Sequence, residues 1–410
     1  MLLTFLRRII SVFLITIMFI GANFFGIMKN QYESVCSVTE VEKGFYTMNY
    51  TYDYDIDKIM EDGVSTNIGL ILNGLFGSLF GQTKGPGCTT FNSVTVDGDY
   101  LFSRNFDYMD CDYILVWTHP KNGYASISSV STMFNGYDQD HTPSKIYDRA
   151  FMMIAPYCPF DGINEKGLSI GVLEVEKYPT YQVTERQSLT TTSMIRAVLD
   201  KAATLEEAIA IFKNYDMRDP LISKATYHYQ IADASGKTAV VEYVYGKMNI
   251  IYPQKQQNSK IDYLAAANYF LTEGVYDPEG MGYDRVKTVY DALDASCGIT
   301  SPSEAMDLLK ATSIKNENLH GYICDTIWSA VYNQTQRTVD ICYKNNFDKY
   351  TAFRFTIPNR DRRSGINEKS IIVLNISVVR VLYEEEKGCF GYRYRNCCDG
   401  YHCDRCVPCN

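Results

Sequence analysis

The stretch GCTTFNSVTVDGDYLFSRNFDY, residues 87–108, contains the pattern on which the rest of the chain is arranged. It holds two segments of alternating apolar and polar residues, Thr90 to Val96 and Tyr100 to Phe106. The sequence Asp97-Gly98-Asp99 between them is typical of a tight β-turn. The stretch therefore predicts a β-hairpin.

The hairpin carries three side chains of types that take part in catalysis. Cys88 stands at its first position, and Arg104 and Asp107 lie near the end of its second strand. Because a hairpin folds its end back beside its start, we expect both charged residues close to the sulfur. A cation and a carboxylate beside a thiol can lower the thiol pKa and orient a neighbouring amine. An ordinary core hairpin with a buried cysteine and a surface ion pair remains the alternative.

The motifs in this stretch resemble those of a known family. Cys-Thr-x-Phe begins at Cys88, Arg-Asn-x-Asp begins at Arg104, and sixteen and nineteen residues separate Cys88 from Arg104 and Asp107. Residue types and spacing together resemble the choloylglycine hydrolase and penicillin V acylase family, and acyl-CoA:6-aminopenicillanic acid acyltransferases are similar too. The resemblance implies an α+β fold, the four-layer αββα sandwich of N-terminal-nucleophile (Ntn) hydrolases with two antiparallel sheets between helices. It covers residues 88–357, which form the expected catalytic domain.

The resemblance also implies a reaction. In this family the chain is cut just before the cysteine, whose new α-amine then serves as the base. For this chain it implies a hydrolase of linear amide C–N bonds in small N-acyl compounds, of the bile-salt or penicillin V type, working through a thioester. No metal or organic cofactor is expected, and family members often form homo-oligomers. Two alternatives stay open: an acyltransferase, and a catalytically silent, membrane-tethered binding protein.

Three more site residues come from the resemblance. Asn164, in a DG-x-N-E-K-GL stretch, is expected to supply a backbone N–H to the oxyanion, because a turn fixes the direction of that dipole. Asn268 is the expected second oxyanion residue, and an asparagine inside the apolar run LAAANYF needs hydrogen-bond partners. Arg285 opens a predicted helix, where a cation opposes the helix dipole, so we expect its partner elsewhere. The predicted catalytic set is Cys88, Arg104, Asp107, Asn164, Asn268 and Arg285.

The N-terminus indicates export. Arg7-Arg8 precede a run of nineteen mostly apolar residues, Ile9 to Ile27. This pattern is typical of a signal peptide or a membrane anchor over residues 1–27, and a buried core helix is the less favoured alternative. An extracellular, cell-surface or membrane-anchored protein is expected. Residues 28–87 are predicted to be a propeptide in which the apolar part, 67–87, forms a helix packed on the mouth of the active site.

Composition narrows the range of partners. A formal net charge of -9 and an isoelectric point near 5.2, without a basic tract, argue against nucleic acid. The five histidines lack metal-ligand spacing. Residues 358–410 form a predicted linker and tail that holds six of the thirteen cysteines. These six are compatible with zinc binding, with disulfides, which an exported protein favours, or with no function at all.

Overall fold

The structure is a computed structural model that describes residues 2–63, 87–219, 226–275, 277, 280–319, 321–349 and 351–353. The predicted apolar helix over 67–87 lies outside the described residues except for Gly87, and so do the linker and the Cys-rich tail. Within the described part the fold is a mixed α+β fold, as expected from the sequence. Within the described residues, Cys36, Cys88, Cys111, Cys158, Cys324 and Cys342 form no disulfide with one another.

The larger of two main sheets has nine strands. They are β1 Thr39–Glu42, β2 Phe45–Tyr50, β5 Tyr113–Thr118, β6 Ser126–Ser131, β7 Asp161–Asn164, β8 Ser169–Glu174, β11 Tyr227–Ala232, β12 Thr238–Val244 and β13 Lys247–Ile251. Their order is β1-β2-β5-β6-β7-β8-β11-β12-β13. All neighbours are antiparallel except β2 and β5, which run parallel, whereas the sequence predicted antiparallel sheets only.

The second main sheet contains the predicted hairpin. Its strands are β3 Cys88–Val94, β4 Tyr100–Tyr108, β14 Ala265–Ala266, β16 Tyr322–Asn333, β17 Thr338–Tyr343 and β18 Thr351–Phe353, in the order β14-β3-β4-β16-β17-β18, and β15 Glu317–Leu319 pairs with β16. Strands β3 and β4 pair from Val94 with Tyr100 to Cys88 with Phe106, so the hairpin prediction is confirmed. Two short strands, β9 Ser188–Leu189 and β10 Asp216–Met217, form a separate parallel pair.

Helices pack on both main sheets. The α-helices are α1 Leu2–Phe24, α2 Lys29–Cys36, α3 Ile56–Asp62, α4 Thr191–Lys201, α5 Leu205–Asn214, α6 Tyr283–Ala295 and α7 Pro302–Ala311, and 3-10 helices span Thr132–Asn135, Ile146–Tyr157 and Phe347–Lys349. Helices α4 and α5 pack on the nine-stranded sheet, and α6 and α7 pack on the other.

The inner faces of the two sheets are joined by buried polar contacts as well as apolar ones. Thr90 of β3 donates a hydrogen bond to Gln230 of β11 at 2.5 Å. Gly171 of β8 lies against Arg104 of β4, and a Cβ at Gly171 would stand 3.3 Å from the guanidinium Nη1. A glycine here lets a large charged side chain fit between the sheets.

The segment preceding the hairpin is part of the core. Side chains of β2, namely Phe45, Tyr46, Met48 and Tyr50, are at most 1% exposed. The ring of Phe45 lies 4.8 Å from that of Tyr113 on β5. Burying such a side chain stabilises a fold by about 1.5–3 kcal/mol. The N-terminal segment that the sequence indicated as a propeptide thus completes the edge of the larger sheet.

Helix α1 lies on the protein body by one face only. Arg7 Nη1 pairs with Asp138 at 3.2 Å, and the Ala150 N–H donates to Ser11 Oγ at 3.2 Å. The opposite face exposes large apolar side chains such as Phe5 and Phe13. Residues 4–24 are long and apolar enough to cross a bilayer, a property that signal sequences share.

Candidate active site

Two atoms of Cys88 form hydrogen bonds with other residues of the predicted catalytic set. It is the first residue of β3 and is buried, with 1% of its surface exposed. Its Sγ accepts a hydrogen bond from Arg104 Nη2 at 3.4 Å, as the hairpin geometry predicted. Its backbone N–H donates to Asn268 Oδ1 at 2.7 Å. The Cys88 sulfur thus has Arg104 as its hydrogen-bond partner. The Cys88 nitrogen, which a cut before this residue would convert into an amine, has Asn268.

Arg285 lies in the first turn of α6, where a cation is unfavourable, and it has partners outside the helix, as expected from the sequence. Its Nη1 lies 2.7 Å from Asp107 Oδ2, and its Nη2 donates to Asn268 Oδ1 at 2.9 Å. Gly282, which precedes the helix, has φ +90°, and a Cβ there would stand 2.6 Å from Arg285 Nη2. Only glycine suits both this backbone angle and the guanidinium folded over it.

Asp107 touches the bond that precedes Cys88. Its carboxylate is fully buried and also accepts a hydrogen bond from Thr326 Oγ1 at 2.6 Å. Its backbone N–H donates to the carbonyl oxygen of Gly87 at 2.8 Å. A Cβ at Gly87 would stand 2.8 Å from Asp107 Oδ2, so glycine permits this close approach. The carbonyl before Cys88 is therefore polarised by a fixed donor.

Asn268 is the residue around which these contacts meet. Its Oδ1 accepts from both Cys88 and Arg285, and its Nδ2 donates to the carbonyl oxygen of Glu174 at 2.9 Å. The isolated bridge between Asn268 and Met281 holds its backbone. These contacts supply the hydrogen-bond partners that an asparagine in an apolar run requires.

The side chain of Asn164 forms hydrogen bonds within its own turn and to the end of α4. Its Nδ2 donates to the carbonyl oxygens of Leu199 and Ala202 at 2.9 and 2.7 Å, and its Oδ1 accepts from two N–H groups of its own turn. Its backbone N–H donates to Leu168 O at 3.0 Å. The structure thus gives Asn164 the task of fastening the turn to the end of α4, and its role at the oxyanion stays a prediction.

Sequence reasoning missed Asp161, which stands in the same motif as Asn164. Asp161 is fully buried, lies 3.1 Å from Arg104 Nη1, and accepts hydrogen bonds from Trp328 and Tyr332. The neighbouring carbonyl of Phe160 accepts from Arg104 at 2.5 Å. The available signal was an acidic residue three positions before Asn164 in the same motif. Asp161 balances the charge of Arg104.

Arg104 lowers the pKa of the Cys88 thiol, as expected, but burial outweighs this effect in the uncut chain. Burial raises the pKa of the Cys88 thiol to about 11, although the charge of Arg104 opposes the shift. Burial also raises the pKa of Asp107, against the charge of Arg285 and the hydrogen bond from Thr326. Near neutral pH the uncut chain therefore carries a protonated thiol, and its use as a nucleophile requires a base.

The sequence of this part of the chain also matches a known protein family. The family model of the linear amide C–N hydrolases, choloylglycine hydrolase family, matches residues 88–258. The match begins at Cys88. It confirms the resemblance stated above for that part of the chain and includes Arg104, Asp107 and Asp161; Asn268 and Arg285 follow it.

Individual relatives carry related names. The chain is 32% identical to the penicillin V acylase of Pectobacterium atrosepticum over 108 residues, 24% of this chain and 28% of that protein. It is 27% identical to the bile salt hydrolase/transferase of Clostridium perfringens over 175 residues, 40% of this chain and 50% of that protein. The aligned regions therefore span about a quarter to a half of these relatives.

Solved structures of the same group are also similar. A conjugated bile acid hydrolase variant from Clostridium perfringens gives a TM-score of 0.49 at 17% identity, covering 69% of this chain and 100% of that one. The penicillin V acylase of Agrobacterium tumefaciens gives a TM-score of 0.47 at 20% identity, covering 66% of this chain and 86% of that one.

Among the residues that the structure describes, no group of three or more His, Cys, Asp or Glu residues is arranged to hold a metal ion.

Proposed function

We propose that the chain is cut between Gly87 and Cys88 and that the mature protein is an Ntn hydrolase of linear amide C–N bonds. The observation that carries this proposal is the cluster at the start of β3. There the Cys88 sulfur lies beside Arg104, the Cys88 nitrogen is bonded to Asn268, and the Asp107–Arg285 ion pair closes the site. The family match to residues 88–258 supports the same reaction class.

The cut uses groups that are already in contact. The Cys88 sulfur attacks the Gly87 carbonyl carbon, whose oxygen accepts the Asp107 N–H. The C–N bond breaks, the Cys88 nitrogen takes up the thiol proton, and a thioester between Gly87 and the sulfur results. Water then hydrolyses the thioester, which leaves a carboxylate on Gly87, a thiol and a free α-amine on Cys88.

The new α-amine supplies the base that the buried thiol requires. A terminal amine titrates near pH ~8, so a useful fraction is neutral at neutral pH. It takes the thiol proton, and the thiolate, which Arg104 stabilises, attacks the acyl carbonyl of the substrate. Asn268 presents its side-chain amide to the developing oxyanion. The proton goes to the leaving amine, and water releases the acid from the acyl-enzyme.

The substrate that we propose is a small N-acyl amide, by analogy with the names of the two relatives. The direct test is hydrolysis of bile-salt, phenoxyacetyl and fatty-acyl amides by wild-type protein, with Cys88→Ala as the blank. Adding an amine acceptor such as hydroxylamine separates the two enzyme classes, because a transferase diverts the acyl group to the amine. Absence of turnover on all three acyl classes by protein with a free Cys88 amine would favour the binding-protein alternative.

We also propose that the N-terminal fragment stays bound after the cut. Strand β2 lies between β1 and β5, and its buried aromatic side chains belong to the same apolar core as those of β5. Release would expose these side chains to water, which is unfavourable. Mature protein is expected to show two bands in denaturing gels and one species with the summed mass in size-exclusion chromatography. A folded, active fragment starting at Cys88 without residues 28–87 would contradict this.

Export and membrane attachment through α1 are part of the proposal. The exposed apolar face of α1 and the preceding Arg7-Arg8 pattern support it. Fractionation of cells that express the full chain separates the options. An anchored protein stays in the membrane pellet at high salt and is released by detergent, whereas removal of a signal peptide gives a soluble form that lacks residues 1–27.

Asp107→Asn tests the ion pair at the site. Asparagine keeps the shape but removes the charge opposite Arg285, so kcat is expected to fall at least about 100-fold. The largely buried guanidinium loses its counter-charge, which we expect to cost about 3–5 kcal/mol of stability. Steady-state rates per folded molecule and denaturant unfolding measure the two effects. Thr326→Val removes the hydrogen bond to Asp107 and the acceptor of the Ile314 N–H but keeps the Asp107 charge, so it is the control and should lower kcat far less.

A further inference from the structure

Another buried pair of a histidine and a carboxylate lies next to the cluster and has no part in the mechanism given above. His228 of β11 and Glu242 of β12 are both fully buried, with Nδ1 and Oε2 3.2 Å apart. The other ring nitrogen, Nε2, lies 2.8 Å from the carbonyl oxygen of Ala267. Ala267 directly precedes Asn268, so the ring contacts the peptide that carries the proposed oxyanion residue.

Glu242 holds the far end of the same segment. Its Oε2 accepts the Leu271 N–H at 3.2 Å, and its Oε1 accepts the Thr272 N–H at 2.5 Å. The Thr272 hydroxyl donates to Oε1 as well. Residues 267–272 are thus fixed at one end by the imidazole and at the other by the carboxylate.

The ring of His228 lies between two hydrogen-bond acceptors, the carbonyl oxygen of Ala267 and the carboxyl group of Glu242. Burial alone would raise the pKa of the Glu242 carboxyl, but the hydrogen bond and charge from His228, with the bond from Thr272, bring it below its ordinary value. These contacts fix the position of the ring relative to the Ala267 carbonyl.

Stability alone does not explain such a pair. A buried ion pair adds little net stability compared with well-packed apolar residues of similar volume, whereas it imposes a defined geometry on the groups around it. Here those groups are the main-chain atoms on both sides of Asn268. The side chain of Asn268 in turn reaches the Cys88 nitrogen at 2.7 Å.

We propose that His228 and Glu242 are positioning residues that hold the 267–272 segment so that Asn268 meets Cys88. The inference rests on the proposed function, because the consequence of misplacing Asn268 is a loss of turnover. Neither residue is proposed to touch the substrate. Removing the imidazole should let the Ala267–Asn268 peptide shift and should weaken kcat more than KM.

The kinetic test compares His228→Leu with His228→Gln and adds a double-mutant cycle of His228→Leu with Asn268→Ala. His228→Leu is expected to lower kcat at least about 10-fold with less than about a threefold change in KM. His228→Gln, whose amide can still donate to the Ala267 carbonyl, should recover most of the loss. In an Asn268→Ala background His228→Leu should cost less than about twofold, because residues that act through one group are not additive. Equal costs in both backgrounds would overturn the proposal.

A matched control is available in the chain. His141 is also fully buried and also lies beside a carboxylate, with Nε2 3.4 Å from Asp148, but its ring stacks on Tyr137 on another part of the molecule. His141→Leu should leave kcat per folded molecule within about twofold of wild type. A similar loss of kcat in both histidine variants would point to general destabilisation and would overturn the proposal.

One measurement separates this inference from the proposed function. Crystal structures of His228→Leu and His228→Gln, both in the Cys88→Ala background, show the position of Asn268 whether or not the protein hydrolyses amides. Asn268 is expected to leave the nitrogen of residue 88 in the leucine variant and to keep it in the glutamine variant. An unmoved Asn268 in the leucine variant would refute the positioning role even if amide hydrolysis is established.

Discussion

Cys88→Ala is expected to give a chain that stays uncut and shows no amide hydrolysis. The sulfur is the only group that the proposal assigns to attack, both on the Gly87 carbonyl and on the substrate. Alanine fits the buried position with loss of only one atom, and the Arg104–Asp161 pair keeps the guanidinium balanced. Intact mass and N-terminal sequencing show the cut, and a fluorogenic acyl amide shows the turnover.

Two comparisons make this result specific. Cys88→Ser should still be cut, slowly, and should lose most turnover, because an alcohol is a weaker nucleophile than a thiol. Cys158→Ala removes an equally buried thiol that belongs to the core and should leave both reactions intact. A Cys88→Ala chain that is still cut before residue 88 would show that another protease performs the cut, and one that still hydrolyses amides would remove Cys88 as nucleophile.

The hairpin and its neighbours were predictable because their signals are local. An alternating pattern around Asp-Gly-Asp sets the register of β3 and β4, and the register brings Arg104 to the sulfur. The position of Arg285 also carried information. A cation in the first turn of a helix is unfavourable unless it has a partner, and the structure supplies Asp107.

The parts that sequence reasoning missed depend on distant pairing. Strand β2 joins β5 in a parallel pair across more than sixty residues, and no local pattern in its Tyr-rich sequence indicates that neighbour. The direction of the pKa shift of Cys88 was also missed. Its sign depends on how completely the two sheets bury the thiol, and charge spacing in the sequence does not report burial.

The motif around Asn164 holds a second polar residue that sequence reasoning did not name. Asp161 of this motif contacts Arg104 and balances its charge. Asn164 and Asp161 lie on the same short strand, and the side-chain amide of Asn164 donates to the end of α4. Sequence alone could not assign which of the two side chains contacts Arg104.

Mutation of Asn268 should therefore mainly lower kcat, whereas mutation of Asn164 should mainly lower stability. Asn268→Ala is expected to lower kcat by roughly 10²–10³-fold, the usual effect of losing one oxyanion donor, with a smaller change in KM. Asn268→Asp should be worse, because a carboxylate repels the developing negative charge. Asn164→Ala should instead lower stability, because the carbonyls of Leu199 and Ala202 lose their buried donor at about 1–3 kcal/mol for each unsatisfied group.

The measurement compares the three variants on one chromogenic acyl amide, with rates expressed per folded molecule and with unfolding followed in denaturant. Asn164→Ala should keep kcat within about threefold of wild type, since its backbone N–H already bonds to Leu168. A loss of kcat at residue 164 equal to that at residue 268, with unchanged stability, would restore Asn164 to the oxyanion site. Small and equal effects at both residues would remove Asn268 as well and leave Cys88, Arg104 and Asp107 without an assigned oxyanion donor.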